Sequence, residues 1–230
     1  MNELIQQPSF LIGSTEDIRK LEKKKNAKLL VISDSHGDYD IFCDIIEGFG
    51  SDADAMVFCG DGVCDLVRFL EEAHTDASLK NSLPPVIAFV KGNGDSERYF
   101  FEIEKESENS RCILSAPYRI VFGAAGRTVI AVHGNRHGVD VGTETLMHTA
   151  SVLDADIVLF GHTHIPFYTE NNTSLILNPG SCSRPRGGMP PSIAYITFPG
   201  LTDRYCVDFF EIRQGLFGKS SFHPLRLRQG

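Results

Sequence analysis

The chain has 230 residues, 42% of them hydrophobic and 23% charged, and a formal net charge of −8. That length suits one large domain, and the ordinary balance of apolar and charged residues excludes disordered and fibrous classes. No apolar run approaches the roughly 18–20 residues of a membrane helix, and the N-terminus lacks the basic start and long apolar stretch of a secretory signal. The acidic balance argues against broad nucleic-acid binding, because phosphate backbones attract basic surfaces. It leaves a phosphate substrate open, since cations held by acidic ligands reverse the local field. Cys43, Cys59, Cys64, Cys112, Cys182 and Cys206 show neither a CxxC pair nor a disulfide-framework spacing. That usage suits buried thiols in a reduced cytoplasmic compartment.

Residues 1–26 read as a helical N-terminal appendage. Ser14-Thr15-Glu16-Asp17 resembles a helix cap, Ile18 and Leu21 give a thin apolar stripe, and Lys23-Lys24-Lys25 suit a solvated face. The main domain is expected over 27–214. Leu29-Leu30-Val31-Ile32 is a short continuous apolar run, as in a strand covered on both faces. Ile41, Phe42, Ile45, Ile46 and Phe49 follow at helical spacing within 38–49. A second strand at 55–58, a helix marked by Leu66, Phe69, Leu70 and Ala73, and a third strand at 86–90 complete a β-α-β-α-β start. Beyond it, strands are expected at 117–122, 127–132, 156–160, 174–177, 192–198 and 204–210, with one helix near 141–153. The mixture predicts two sheets packed face to face with helices outside. From 215 to 230 the chain carries Lys219, His223, Arg226 and Arg228 and reads as a surface tail.

Five apolar strands end abruptly in polar clusters. These are Ser33-Asp34-Ser35-His36-Gly37, Cys59-Gly60-Asp61-Gly62, Lys91-Gly92-Asn93-Gly94-Asp95, His133-Gly134-Asn135 and Gly161-His162-Thr163-His164. Ligands of α/β sheets bind beyond the carboxyl ends of strands, so Asp, His and Asn converge on one rim. Imidazole and carboxylate together suit divalent Mn, Fe, Ni, Zn or Co. Asp34 and His36 lie two apart, as do His162 and His164, so on an extended strand end each pair points one way. Asp61 can bridge two cations, and two cations would turn water into hydroxide near neutral pH. Any one of these residues alone is more often a turn or capping group. The joint pattern is not explained that way.

In their order, Asp34-Ser35-His36, Gly60-Asp61, Gly92-Asn93-Gly94-Asp95, His133-Gly134 and Gly161-His162-Thr163-His164 resemble the signature of the calcineurin-like metallophosphoesterases. Asn178-Pro179-Gly180-Ser181, with Arg184-Pro185-Arg186 after it, is similar to the small bacterial and archaeal phosphodiesterase subfamily. The resemblance implies a four-layer α/β/β/α sandwich of two mixed sheets. It implies one metal on Asp34, His36, Asp61 and His164 and another on Asp61, Asn93, His133 and His162, with Mn the leading choice. Asp61 and Asn93 would act in catalysis on a small phosphate ester.

Many relatives place a histidine after the motif asparagine to protonate the leaving oxygen. Gly94 stands there, which favours phosphodiesters over monoesters with poor leaving groups. His137 is a candidate substitute donor beside a plain loop role, and Asp95 a candidate orienting group beside a turn cap. Arg184 and Arg186 could hold a substrate phosphate in a fork, or simply decorate a loop. A nuclease and a non-catalytic scaffold, as in a eukaryotic retromer subunit of this fold, stand as alternatives.

Overall fold

Three unbroken apolar runs become neighbouring parallel strands, because only a strand covered on both faces has no use for polar alternation. The computed structural model describes residues 2–105, 108–170, 174–198, 205–215 and 218–227. It opens with helix α1 (Thr15–Lys23), capped by Ser14, whose hydroxyl accepts the Asp17 N–H. Strands β1 (Ala27–Ile32), β2 (Ala55–Phe58) and β3 (Val86–Phe89) then alternate with α2 (Tyr39–Phe49), α3 (Val63–Ala73) and the short α4 (Ala77–Ser82). An antiparallel hairpin follows, β4 (Arg98–Lys105) with β5 (Glu108–Ser115). After it come β6 (Arg119–Ala124), β7 (Arg127–Val132), α5 (Glu144–Val152), β8 (Ile157–Leu159), β9 (Pro166–Glu170) and β10 (Leu175–Pro179). The chain closes with β11 (Ser192–Phe198), β12 (Cys206–Gln214) and β13 (Ser220–Leu225).

The first sheet runs β13-β12-β11-β1-β2-β3 and the second β6-β7-β8-β10-β9. Both are mixed. Leu29 pairs in parallel with Ala55 and antiparallel with Ile196, and Ala131 pairs in parallel with Leu159.

Side chains sort by parity into three apolar seams. Leu30, Ile32, Met56, Phe58, Ile87 and Phe89 meet Phe42, Ile45, Ile46, Leu66, Phe69 and Leu70 of α2 and α3. Their intervening neighbours, Leu29, Val31, Ala55, Val57, Val86 and Ala88, meet Val129, Ala131, Ile157, Leu159 and Leu177 of the second sheet. On that sheet's far face Ile130, Val132, Val158 and Ile176 cover Leu146 and Ala150 of α5. Helix, sheet, sheet, helix is the layering expected from sequence. Phe42 is wholly buried, edge-on to Phe58 and Phe69 with centroids 5.7 and 6.1 Å away. Truncating it to alanine would cost about 3–5 kcal/mol.

The ends of the chain join this framework. Ile12 and Ile87 exchange backbone hydrogen bonds of 2.8 and 2.9 Å beside β3, and buried Asn2 donates to the carbonyls of Pro84 and Pro85. Leu11 and Leu21 enter the seam between the sheets. In the segment read as a tail, residues 220–225 form β13, with Phe222 edge-on to Phe49. Arg228 and residue 204, the first of an expected strand, lie outside the described residues. The hairpin β4–β5, β9 and α4 were not anticipated.

Candidate metal centre

The carboxyl ends of β1, β2, β3, β7 and β8 reach one rim of the sandwich, and each leaves its sheet by a tight turn. Backbone bonds stitch these turns together: Asp34 N–H to Gly60 O, His36 N–H to Asp61 O, and Gly161 N–H to His133 O. Glycine is required where two turns touch. A Cβ on Gly92 would stand 2.0 Å from Asp61 Oδ1, and one on Gly161 would stand 1.9 Å from Ser33 Oγ.

Among the described residues, nine non-glycine residues have positive φ, and five are Asp34, His36, Asp61, His162 and His164, at +49° to +69°. Left-handed backbone costs an L-residue roughly 1–2 kcal/mol and persists only where its surroundings impose it. Here the geometry departs from expectation. Asp34 and His36 converge because both sit in a left-handed turn, not because an extended strand repeats every two residues. Gly60 and Gly37, with φ of +91° and +86°, share these turns.

Asp34 is fully buried. Its Oδ2 accepts from Ser33 Oγ at 2.5 Å and from the His162 N–H at 3.1 Å. Its Oδ1 is buried without a hydrogen-bond donor. That oxygen lies 3.2 Å from His164 Nε2 and 3.8 Å from His36 Nε2, and the two histidine Nε2 atoms are 3.0 Å apart. The ligand atoms of Asp34, His36 and His164 thus fall within 4.8 Å of one another, and so do those of Asp34, Asp61 and His133. Asp34 belongs to both groups.

The tautomers follow from the outer contacts. His133 Nδ1 lies 2.8 Å from Cys59 O, and His164 Nδ1 lies 2.5 Å from Arg184 O. A carbonyl only accepts, so each Nδ1 carries the proton and each neutral Nε2 turns a lone pair inward, as a metal-binding histidine must. His133 Nε2 then faces two acceptors, Asn93 Oδ1 at 3.2 Å and Asp61 Oδ2 at 3.5 Å. Lone pairs gathered around a buried oxygen that lacks a donor call for positive charge. Burial pulls the His133 pKa down, but the Asp61 contact and the Asp34 and Asp61 carboxylates outweigh it and raise it. Burial likewise pushes Asp61 up, yet His133 and the Gly94 N–H hold it at about 2. For His36 burial prevails over Asp34, and its pKa is lowered. Such a donor set fits a divalent cation between carboxylate and imidazole.

His162 stands differently. Its imidazole Nε2 meets Asp140 Oδ2 at 3.2 Å, and its ring lies 5.1 Å from that of His133. Arg184 donates to His36 O at 3.4 Å and lines a cavity of about 430 Å³ with His36, Asp38, Tyr39, Asp40 and Arg68. Arg186 gives its backbone N–H to His164 O. His137 occupies a single 3₁₀ turn, half-buried. The Gly94 N–H donates to Asp61 Oδ1 at 2.7 Å.

Asp95 is a strut. Its carboxylate accepts the backbone N–H groups of Asp61, Gly62, Val63 and Gly92 at 2.6–3.0 Å, which ties the turn after β2 to the turn after β3. Asp65 does the same after β1, taking Ser35 Oγ at 2.5 Å and the Gly37 N–H at 3.0 Å. Ser181 and Ser183 both donate to Asp34 O. Sequence reasoning missed Asp65, Ser181, Ser183 and Asp140 as site residues. The one signal for Asp65 is a carboxylate on the otherwise apolar buried face of α3.

The layering and this rim define a metallophosphoesterase, and the chain belongs to the calcineurin-like phosphoesterase superfamily, whose domain model matches residues 28–199. It is 29% identical over 183 residues to a protein of Bacillus subtilis described as the probable metallophosphoesterase YsnB, covering 80% of this chain and 90% of that one. It is 29% identical over 170 residues to the phosphodiesterase YfcE of Escherichia coli, covering 72% and 84%. Among solved structures, a predicted phosphoesterase from Streptococcus pneumoniae superposes with a TM-score of 0.60 at 26% identity, covering 88% of this chain and 99% of that one. Vacuolar Protein Sorting 29 of Cryptosporidium parvum gives the same TM-score at 21% identity, covering 90% and 100%, and shares the fold. The family implies divalent metal ions, and no helix among the described residues is long and apolar enough to cross a membrane.

Proposed function

We propose that this chain is a metal-dependent phosphodiesterase. The observation that carries the reading is the inward-turned set of Nε2 atoms around Asp34 Oδ1, a buried carboxylate oxygen without a donor. Asp34, His36, His164 and Asp61 would hold one ion. Asp61, Asn93 and His133 would hold the other, with His162 added once its ring leaves Asp140. Manganese is the leading choice, with iron, nickel, zinc and cobalt as alternatives. When bound, such ions acidify water and neutralise the charge that grows on phosphoryl oxygens.

The chain's own groups set the rest. The Gly94 N–H holds one oxygen of Asp61 in place, and Cys59 O and Arg184 O fix the two histidine tautomers. Arg184, on the cavity wall beside His36, is placed to bind a phosphate oxygen of the substrate. Arg186 is the weaker of the two arginine candidates, since its backbone bond to His164 O gives it a loop role. With glycine at position 94, the residue that follows Asn93 offers no imidazole to protonate a leaving oxygen. Diesters with stable leaving groups should therefore be preferred. YfcE, itself named a phosphodiesterase, supports the same reading. Six free cysteines, two of them fully buried, suit the cytoplasm.

The test is a metal-by-substrate screen on bis-p-nitrophenyl phosphate and p-nitrophenyl phosphate, with faster turnover of the diester expected. No turnover of either with any transition metal would overturn the proposal. Partner capture by a chain that binds no metal would favour the scaffold reading. That reading rests on fold likeness alone.

A further inference from the structure

Two cavities flank the centre, and they differ in charge. The one beside His36 is balanced: Arg68 and Arg184 share it with Asp38 and Asp40, and Arg68 is bonded to Glu72 at 2.9 Å. The other, of about 480 Å³, is lined by Tyr118, Arg119, Val132, His133, Gly134, Asn135, Arg136 and His137, with no acid among them. Neither the Arg119 nor the Arg136 guanidinium has a carboxylate partner among the described residues, in a chain whose net charge is −8. The Arg136 guanidinium lies on the Tyr118 ring, 3.4 Å from its centroid, and Lys91 approaches the same ring at 4.9 Å. Glu97, the nearby acid, is engaged by Tyr118 Oη at 2.9 Å and by Lys91 at 3.9 Å. His137 Nδ1 is buried without a hydrogen-bond partner.

From this juxtaposition we propose that the Tyr118–Arg119–Arg136–His137 cavity is a subsite for a second phosphate group, carried on one arm of the substrate. The proposal rests on the phosphodiesterase reading and narrows it to diesters that bear a further phosphate. His133 belongs both to the metal centre and to this cavity's wall, so the two phosphates lie one short spacer apart. Two forked guanidiniums bind a phosphate by charge-assisted hydrogen bonds, and stacking on Tyr118 orders Arg136 beforehand. Because the nearby acid is already engaged, binding breaks no internal ion pair of either arginine.

The full chain is titrated by calorimetry at fixed free Mn²⁺ with α,ω-alkanediol bisphosphates of two to six carbons and with the matching alkyl monophosphates. At the best spacer length the bisphosphate should bind at least ~10-fold more tightly than its monophosphate. The double variant Arg119→Gln/Arg136→Gln should bring that ratio close to one. Arg119→Lys/Arg136→Lys, which keeps the charge and loses the fork, should give an intermediate ratio. Lys20→Gln/Lys219→Gln, which removes two positive charges elsewhere, should leave the ratio intact. Equal affinities at every spacer length would overturn the proposal, and so would a ratio that survives Arg119→Gln/Arg136→Gln. Wild-type turnover of bis-p-nitrophenyl phosphate is measured separately. Its absence would reject the hydrolytic reading, while the binding ratio still decides the subsite.

Discussion

The two halves of the centre are built in opposite ways. Around His36 and His164 two imidazoles crowd each other at 3.0 Å over a carboxylate oxygen that has no donor. Around His133 the imidazole is buried, fixed by Cys59 O and set against Asp61, whose other oxygen takes the Gly94 N–H. The first half crowds acceptors against one another. In the second, the imidazole and the carboxylate are each held separately by a backbone group, Cys59 O and the Gly94 N–H. The difference shows that one fold can prepare two adjacent ligand groups by different means, crowded imidazoles in one and backbone-anchored side chains in the other.

The largest effect should come from the carboxylates that could join the halves. Asp61→Ala is expected to lower turnover by at least 10²–10³-fold, on the order of removing one strong transition-state contact, and to release both ions. Metal content by mass spectrometry of Asp61→Ala and Asp34→Ala settles which residue is shared. If Asp34→Ala empties both positions and Asp61→Ala only one, the bridge belongs to Asp34. A smaller effect is expected from Asp95→Ala, which strips the acceptor from four backbone N–H groups. It should weaken metal binding at the Asp61 half by about 10–100-fold and lower stability by roughly 2–3 kcal/mol, read from metal titration and chemical denaturation. Equal weakening of both halves would erase the contrast.

Acid should separate the halves more gently. A metal must displace the proton from its histidine, so a raised pKa brings proton competition in at higher pH and a lowered one delays it. His133 is raised and His36 lowered, so as pH falls the ion at the His133 half should leave first. Titrating the metal content of the chain from pH 8 to pH 5 would reveal one step if the halves are equivalent. The smallest change is Gly94→His, which adds an imidazole beside Asn93. Its Cβ would stand 3.3 Å from Asp61 Oδ1, a tight fit. We expect a gain of about tenfold for p-nitrophenyl phosphate relative to the diester, less than a well-placed general acid supplies. A fall in both activities would mean that the crowding at Asp61 dominates.

Much of this centre was legible in the chain because buried parallel strands read as plain apolar runs, which makes the polar residue after each one conspicuous. Asp34, Asp61, Asn93, His133 and His164 stand out for that reason. What stayed hidden depends on contacts between distant turns. Asp140 meets a histidine 22 positions away, and Asp65 ties down Ser35 from 30 positions away. The left-handed backbone at His36 and His164 carries only a faint local mark, since histidine is enriched at positive φ but most histidines lie elsewhere. Among the strands, β9 and β13 escaped notice because both are sheet edges with half-exposed patterns, and each contains a proline, Pro166 and Pro224. Between the paired residues Lys105 and Glu108 of the β4–β5 hairpin the sequence offers no glycine or asparagine pair to signal it.

The short backbone exchange between Ile12 and Ile87 has a bearing on how this chain behaves in a crowded solution. Strand β3 is the last strand of its sheet, four apolar residues long, and residues 2–13 are what cover it. Remove them, and the Ile87 N–H and C=O on the open edge of β3 lose their partners, which leaves a template for another extended chain. A protein trimmed to begin at Ala27 would keep every metal-ligand candidate and still be prone to self-association. On that reasoning the stretch before the first strand would guard β3 against edge-to-edge association.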